Sequence, residues 1–405
     1  MNPSRLRFAQ AAQWLTFGSA AAIIFSIAIS QILLGMALAA LLLSREQLRL
    51  PRIKWALALF MLGTLISLAF DPHPWEGLSQ VKKFYVFAEL LVVFSCLRNL
   101  RIIRWLFLTW GGFAAITALI GFVQFAGKIM QAHAHGHAFT NEGYVAERIK
   151  GLTSHWNTFS GEEMFALLML AALLFFAPLE KRRWIWIACA AFSSVAVLLA
   201  ETRGVWIATA VAGLYLVWCW HKKFVLLVPA AILLAFLVSP AQVRERFESI
   251  VKPHREDSNT FRIMAWRTGI NMIEQHPLLG LGPDGPKYHF REYIPADFPR
   301  PLPDGFYQHL HNVYLQYAAD RGIPTMLALV AVLIQILIDC GRGIRRLPAE
   351  RGDRRFLLHG AIAVVLAAMV EGCVEVNLGD TEVLTMFLVV AGCAYLALEK
   401  DLAAA

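Results

Sequence analysis

The sequence predicts an all-α polytopic membrane protein with about twelve transmembrane helices and one long outer loop that contains short helices. Of its 405 residues, 58% are hydrophobic and 16% are charged, whereas a soluble domain is roughly 45–50% apolar and about 25% charged. Apolar runs of bilayer-spanning length recur along the whole chain. This composition excludes a soluble enzyme, a disordered protein and a disulfide-rich secreted module.

The apolar runs predict spans at residues 13–29, 31–44, 53–70, 84–97, 105–126, 159–178, 184–200, 204–219, 224–239, 323–340, 356–376 and 383–398. They divide the chain into a first group of nine helices (1–239), a loop domain (240–321) and a last group of three helices (322–405). Only Ser30 and Gln31 separate the first two runs, so we expect a tight turn there. Arg5 and Arg7 could begin a signal peptide, but no clear cleavage exit follows, which favours an uncleaved first span.

The placement of Lys and Arg predicts the orientation. With the N-terminus in the cytoplasm, most of the 37 Lys and Arg residues fall in cytoplasmic segments. The long loop is exempt, because long loops translocate regardless of charge. Both termini are therefore expected in the cytoplasm, and the net charge of +8 reflects these segments rather than nucleic-acid binding. The six cysteines lie in or beside apolar runs, so no disulfide framework is expected.

The loop at 240–321 is long enough to be functional rather than a mere connection. An i, i+4, i+7 apolar pattern from Val243 predicts one helical piece. A second helix is predicted at 261–275, capped by the residues before it and ended by Pro277. The Gly/Pro-rich stretch at 278–305 is not expected to form regular helix.

Polar residues gather at the predicted outer ends of the spans. Arg203 lies between two apolar runs, where a charge is costly unless it is paired or solvated, with snorkelling to the headgroups as the alternative. Arg262 and Trp266, one turn apart, could hold a phosphorylated sugar, although Trp266 could instead be an interfacial anchor. His311 could act as a general base, because imidazole titrates near 6.5, or could cap the following helix.

Two histidine groups could in principle bind a metal: His309 with His311, and the alternating His133, His135 and His137. Neither has a cysteine or carboxylate at ligand spacing, so no metal site is predicted.

Four carboxylates stand near the outer ends of their spans, where pairing with outer arginines is the simpler interpretation and a proton relay is the alternative. They are Glu162, Glu163, Glu371 and Glu375.

Taken together, several motifs resemble the bacterial O-antigen ligases and the related O-antigen polymerases. They are Arg148…Gly151-Leu152-Thr153…His155…Asn157, Thr202-Arg203-Gly204, Arg262 with Gly280-Leu281-Gly282, His311-Asn312-Val313-Tyr314-Leu315-Gln316 with Gly322, and Glu375-Val376-Asn377-Leu378. Each motif is short, but their order and spacing between spans cover essentially the whole chain. The resemblance implies a GT-C-like glycosyltransferase of the bacterial inner membrane with a periplasmic active site.

The resemblance further implies a metal-independent, inverting transfer that needs no cofactor. The donor would be O-antigen polysaccharide on undecaprenyl pyrophosphate, and the acceptor a sugar hydroxyl of lipid A–core oligosaccharide. Arg203 and Arg262 would stabilise the leaving pyrophosphate, and His311 would take the acceptor proton. Residues expected to contact substrate are Lys82, Lys83, Arg148, Lys150, His155, Asn157, Trp266, His309 and Asn312. The His133–His137 cluster is outside the family pattern and has no assigned role.

Three alternatives stay open. An O-antigen or exopolysaccharide polymerase would share the donor, and a protein O-glycosyltransferase would use a Ser or Thr acceptor of a pilin. A proton-coupled transporter belongs to a different class, and transporters place polar groups near the bilayer midplane. The polar residues here gather at one face, which favours an enzyme.

Overall fold

The structure is a computed structural model, which describes residues 3–134, 148–178, 182–240, 243–245, 247–248, 258–302, 309–350 and 352–399. Every regular element in these ranges is helical. The α-helices are α1 (Pro3–Ala22), α2 (Ile27–Ser44), α3 (Lys54–Ala69), α4 (Pro74–Lys82), α5 (Ala88–Cys96), α6 (Leu100–Ala134), α7 (Trp156–Phe176), α8 (Arg183–Leu199), α9 (Arg203–Trp220), α10 (Val228–Val238), α11 (Ser258–Gln275), α12 (Gly285–His289), α13 (Val313–Arg346), α14 (Asp353–Glu371) and α15 (Thr381–Leu398). Short 3₁₀ segments lie at Lys83–Phe87, Lys222–Leu227, Phe290–Glu292 and Asn377–Gly379.

Six of the described helices are long and apolar enough to cross a membrane: α2, α6, α7, α9, α13 and α15. The helices α3 and α8 are apolar but shorter. The described part of the chain is therefore all-helical and of the polytopic membrane type, as the composition predicts. The number twelve stays a prediction.

The first turn lies at residues 23–26, so its predicted position at Ser30 and Gln31 was wrong. The Ser26 side chain caps α2 by accepting a hydrogen bond from the Ile29 amide at 3.4 Å, and serine is among the preferred N-cap residues. Ser30 is buried inside α2, where its carbonyl accepts a hydrogen bond from Ser19 at 2.9 Å. Ser30, a polar residue in an apolar run, therefore lies at a contact between α1 and α2 and not at a turn.

The helices α4 and α6 differ from the sequence prediction. The nine-residue α4 was not predicted; Pro74 lies at its start, where proline is tolerated, and Lys82 in its last turn, where a cation is favourable. The helix α6 has 35 residues and extends about 52 Å, well beyond a hydrocarbon core of about 30 Å. The C-terminal part of α6 carries Gln124, whose side chain forms hydrogen bonds with the backbone of Lys150 and Gly151 at 2.8–3.1 Å.

The helix α13 begins at Val313, ten residues before the predicted span, and is interrupted at Gly322. Gly322 has φ of 80°, and a Cβ there would collide with the Leu278 carbonyl. The backbone of the loop domain crosses at this point: the Ile323 amide donates to the Pro277 carbonyl at 2.8 Å. Gly322 therefore allows the loop domain to pack directly against the start of α13.

The loop domain has its own small hydrophobic cluster, in which Met264 and Met272 of α11 pack with Phe290, Phe298 and Leu310. The helix α11 begins three residues earlier than predicted and ends at Gln275 as predicted. The stretch 278–305 contains α12 and a 3₁₀ turn, so the expectation of no regular helix there was wrong. The reason is that Pro286 occupies the first turn of α12, where its missing N–H costs nothing.

Candidate functional site

A cavity of about 910 Å³ lies where several helix ends meet. The starts of α7, α9 and α15, the segment after α14, the helix α11 and the first turns of α13 all contribute to it. Its ionisable lining residues are Lys83, Arg148, Arg203, Arg262, Lys287 and Arg321, the carboxylates Asp284, Asp320, Glu375, Asp380 and Glu382, and the histidines His155, His309 and His311. The cavity is thus strongly polar and well suited to an anionic ligand with sugar hydroxyls.

The structure brings together most of the residues that the sequence predicts for a site. The three predicted catalytic residues, Arg203, Arg262 and His311, all line this cavity. So do five of the predicted substrate contacts: Lys83, Arg148, His155, Asn157 and His309. Four others, Lys82, Lys150, Trp266 and Asn312, are not among the lining residues.

Two of those four contact the backbone around His311 instead. The Trp266 indole donates to the His311 carbonyl at 3.3 Å. The Asn312 side chain caps α13 by accepting from the Tyr314 and Leu315 amides at 3.0 Å, and it donates to the Cys373 carbonyl at 2.9 Å. The helix cap considered for His311 is therefore provided by Asn312, and Lys82 and Lys150 are exposed.

His311 adopts a left-handed backbone conformation with φ of 48°, which is uncommon outside glycine. Its Nδ1 lies 3.1 and 3.2 Å from the two oxygens of Glu375. Because an ionised carboxylate only accepts hydrogen bonds, Nδ1 donates to Glu375, and Nε2 is the ring nitrogen that Glu375 does not contact. The ring also packs edge-on against Phe261, with centroids 5.5 Å apart.

Glu375 is buried, at 5% exposed, and bonds two of the predicted catalytic residues. Arg262 Nη2 lies 2.5 Å from Oε1, and Arg262 Nε donates to the Val374 carbonyl at 3.3 Å. Burial alone would raise the pKa of Glu375, but the hydrogen bonds and charges of His311 and Arg262 outweigh it and lower the pKa to about 2. The predicted pairing of Glu375 with an outer arginine is confirmed, whereas its contact with His311 was not foreseen.

Two further histidines flank this group. The His309 ring lies 4.5 Å from the His311 ring, and burial together with the His311 charge lowers the pKa of His309 to about 4. His155 caps α7 by accepting from the Asn157 amide at 3.2 Å, and burial lowers its pKa as well. Both rings are therefore neutral near pH 7. The Trp156 ring, absent from the sequence prediction, lies 4.0 Å from the His155 ring and faces the cavity.

Arg203 is the first residue of α9 and is only 9% exposed. The start of α9 is pressed against the segment after α14, since a Cβ on Gly204 would lie 2.6 Å from a Val374 methyl group. An arginine at a helix N-terminus adds to the positive potential of the unpaired backbone N–H groups. This end of α9 therefore favours a negatively charged group in the cavity.

A small apolar cleft of about 50 Å³ lies next to the cavity, and Lys83 and Arg321 line both. The rest of the cleft is mainly apolar, and its lining includes Leu57, Phe60, Phe84, Phe87, Leu329, Val332, Leu384, Phe387 and Leu388. Lys83 Nζ donates to the Gly379 carbonyl at 3.0 Å. The buried Arg321 guanidinium lies 4.5 Å from the Tyr317 ring centroid, and this arginine was missed in the sequence.

His133 lies in the last turn of α6, while His135 and His137 lie outside the described residues. Among the residues that the structure describes, no group of three or more His, Cys, Asp or Glu side chains is arranged to hold a metal ion.

These features define a polytopic helical membrane protein with a polar cavity, lined by arginines and carboxylates, where several helix ends meet, and with an apolar cleft beside it. Residues 188–330 match the family model of the O-antigen ligase domain, which supports membership of the O-antigen ligase family and confirms the resemblance predicted from the motifs. The match contains Arg203, Arg262 and His311. The family indicates a function of the O-antigen ligase or polymerase type, and its members are glycosyltransferase-like enzymes. No curated protein matches the chain.

Proposed function

We propose that the protein is an O-antigen ligase. It transfers O-antigen polysaccharide from undecaprenyl pyrophosphate to a sugar hydroxyl of lipid A–core oligosaccharide. The observation that carries this proposal is the shared cavity of Arg203, Arg262 and His311, in which His311 is bonded to a buried carboxylate. The reaction is an inverting transfer without a metal ion or cofactor, and Arg203, Arg262 and His311 are its catalytic residues.

The shape of the site supports a lipid-linked donor. A polyprenyl diphosphate has a charged head and a long apolar chain. The cavity offers arginines for the diphosphate, and the apolar cleft begins beside two of its cations, Lys83 and Arg321. Diphosphate oxygens accept charge-assisted hydrogen bonds from guanidinium groups, which are stronger than neutral hydrogen bonds.

In the proposed reaction, the acceptor hydroxyl oxygen attacks the anomeric carbon of the donor sugar, and His311 Nε2 takes the hydroxyl proton. The bond between the anomeric carbon and the diphosphate oxygen breaks, and the diphosphate keeps the electron pair. Arg203 and Arg262 bind the negative charge that grows on the leaving group, so they stabilise the transition state more than the bound donor. The products are the new glycoside and undecaprenyl pyrophosphate, and the proton on His311 returns to solvent.

The proposal includes the location of the site. The protein would be a GT-C-like enzyme of the bacterial inner membrane with about twelve spans, both termini in the cytoplasm and the cavity in the periplasm. The starts of α7, α9 and α15 and the end of α14 meet at the same end of the bundle. A site at one end supports an enzyme that meets its substrates at the membrane surface better than it supports a transporter, whose polar site lies near the midplane.

A deletion strain of the host tests the proposal. Its lipopolysaccharide is separated on a gel, and its lipid-linked glycans are extracted. A ligase deletion leaves polymerised glycan on the carrier lipid and none on the core, and wild-type protein restores transfer whereas His311→Ala does not. Core carrying a single repeat unit would identify a polymerase instead. Unchanged lipopolysaccharide would overturn both functions.

A further inference from the structure

We propose that Glu375 is a positioning residue that couples binding of the donor diphosphate to the basicity of His311. This inference rests on the proposed function. The inference adds a role for the Arg262–Glu375 contact in the sequence of binding and catalysis. Arg262 holds Glu375 before the donor arrives and releases it when the diphosphate binds.

The geometry shows one carboxylate shared by two partners. Glu375 Oε1 lies 2.5 Å from Arg262 Nη2 and 3.2 Å from His311 Nδ1, and Oε2 lies 3.1 Å from His311 Nδ1. The guanidinium charge of Arg262 offsets part of the carboxylate charge that the imidazole faces.

A bound diphosphate changes this balance. Arg262 lines the cavity with its side chain 20% exposed, so its guanidinium can turn to a doubly charged ligand. Once it does so, the buried carboxylate interacts with His311 alone, and the imidazolium form of His311 is stabilised. His311 therefore becomes a stronger base at the moment when an activated donor is present.

Other charged groups around this pair could also affect its titration. They are His155 before α7, Arg203 of α9, His309 beside His311, Glu371 at the end of α14 and Asp380 before α15. None of them bridges Arg262 and His311 in the way that Glu375 does. A pH measurement on Glu375 variants, compared with a variant of another cavity carboxylate, isolates the coupling.

The first experiment measures transfer against pH with the purified full chain. The midpoint of the rising limb of kcat/KM for the donor gives the pKa of the base in the free enzyme. The midpoint of the rising limb of kcat gives its pKa in the donor complex. We expect the midpoint of kcat to lie about one pH unit above that of kcat/KM, a tenfold change in proton affinity. In Glu375→Gln the two midpoints should lie closer together than in the wild type, Glu375→Asp should restore part of the difference, and Glu382→Gln should keep all of it.

The second experiment measures binding of undecaprenyl pyrophosphate alone. If the ligand raises the pKa of His311, its Kd must fall as pH falls between the two midpoints, by up to about tenfold for each pH unit that separates them. Glu375→Gln controls for protonation of the ligand itself and should show a flatter dependence. Equal pH dependence in wild type and Glu375→Gln would overturn the coupling while leaving the ligase proposal intact. Failure of the wild type both to bind this lipid and to transfer glycan would instead overturn the proposed function.

If Glu375→Gln fails to fold, Glu375→Asp still decides the question, because it retains the charge at a shorter reach. A reduced rate at every pH, with the wild-type separation of midpoints, would mean that Glu375 is only structural. Such a result in Glu375→Asp or Glu375→Gln would overturn the proposal.

Discussion

Arg262→Ala is a sharp test of the site because α11 also carries Arg267, which provides a matched control. Arg262 pairs with Glu375 at 2.5 Å, and the two side chains are 20% and 6% exposed. Arg267 pairs with Asp297 at 2.8 Å, but these side chains are 44% and 69% exposed. The same substitution on the same helix thus removes a cavity ion pair in one case and a surface ion pair in the other.

The expected magnitudes differ accordingly. Removing one donor that stabilises transition-state charge costs about 10²–10³ in kcat. Removing one partner of a buried ion pair costs about 3–5 kcal/mol of stability. Because Arg262 is partly exposed, we expect Arg262→Ala to lie at the lower end of this range. Arg262→Lys keeps the charge but loses the planar fork, so its rate should fall less. Arg267→Ala should change neither rate nor stability appreciably, since surface pairs contribute little.

The assay uses purified full chain in lipid discs with lipid-linked glycan and lipid A–core, and thermal unfolding is followed in parallel. Rates are compared per folded molecule, so that lost stability is not counted as lost catalysis. A folded Arg262→Ala variant with a rate within about threefold of wild type would refute the role of this arginine. An equal loss in Arg267→Ala would show that the effect belongs to α11 as a whole.

Four further results are expected. His311→Ala should reduce transfer by about 10²–10⁴ without loss of folding, measured as initial rate and unfolding midpoint; full activity would exclude it as the base. Asn312→Ala should destabilise the protein by about 0.5–2 kcal/mol through loss of the α13 cap, whereas Asn312→Asp, which keeps the accepting oxygen, should lose less in the same unfolding assay. Because the folded pKa of Glu375 is depressed to about 2, its stabilising contribution is full above its ordinary pKa of 4.5 and is lost as pH falls through 2; acid titration of Glu375→Gln should therefore show a smaller loss than wild type over that range. Treatment with EDTA should leave transfer intact, and a loss restored by a divalent ion would disprove the metal-independent reaction.

The sequence predicts the helical class and eight of the cavity residues, among them Arg203, Arg262 and His311. Arg203 could be identified because a charge between two apolar runs is energetically costly unless it is paired, solvated or functional. The chemistry of Arg262 and His311 made them candidates but left structural alternatives open, since a loop arginine and a pre-helix histidine are common, and the family motifs then favoured a catalytic role. Whether such a residue belongs to a site depends on its burial and on its contacts with distant parts of the chain, and a single sequence shows neither.

The residues that were misplaced or missed show where sequence reasoning ends. Helical spacing placed Trp266 on the same face as Arg262, but it could not say what lies opposite that face. The indole reaches the His311 carbonyl, and Trp156 presents the aromatic ring to the cavity instead. Arg321 was passed over as the end of a loop, whereas α13 already begins at Val313, so Arg321 lies one helical turn after Tyr317 and contacts its ring.

The pairing of cations with carboxylates in the cavity also bears on turnover. Buried arginines without partners would be costly before the donor binds, and Glu375 offsets that cost for Arg262. In the proposed mechanism the donor diphosphate displaces this carboxylate from Arg262, so the net affinity of the diphosphate would be smaller than the strength of its own contacts with Arg262. Weaker ground-state binding favours a high kcat and release of the lipid diphosphate product, provided that the arginine contacts strengthen as charge develops on the leaving group. If the proposed function holds, the Glu375–Arg262 pair would therefore help the site to release its lipid diphosphate product.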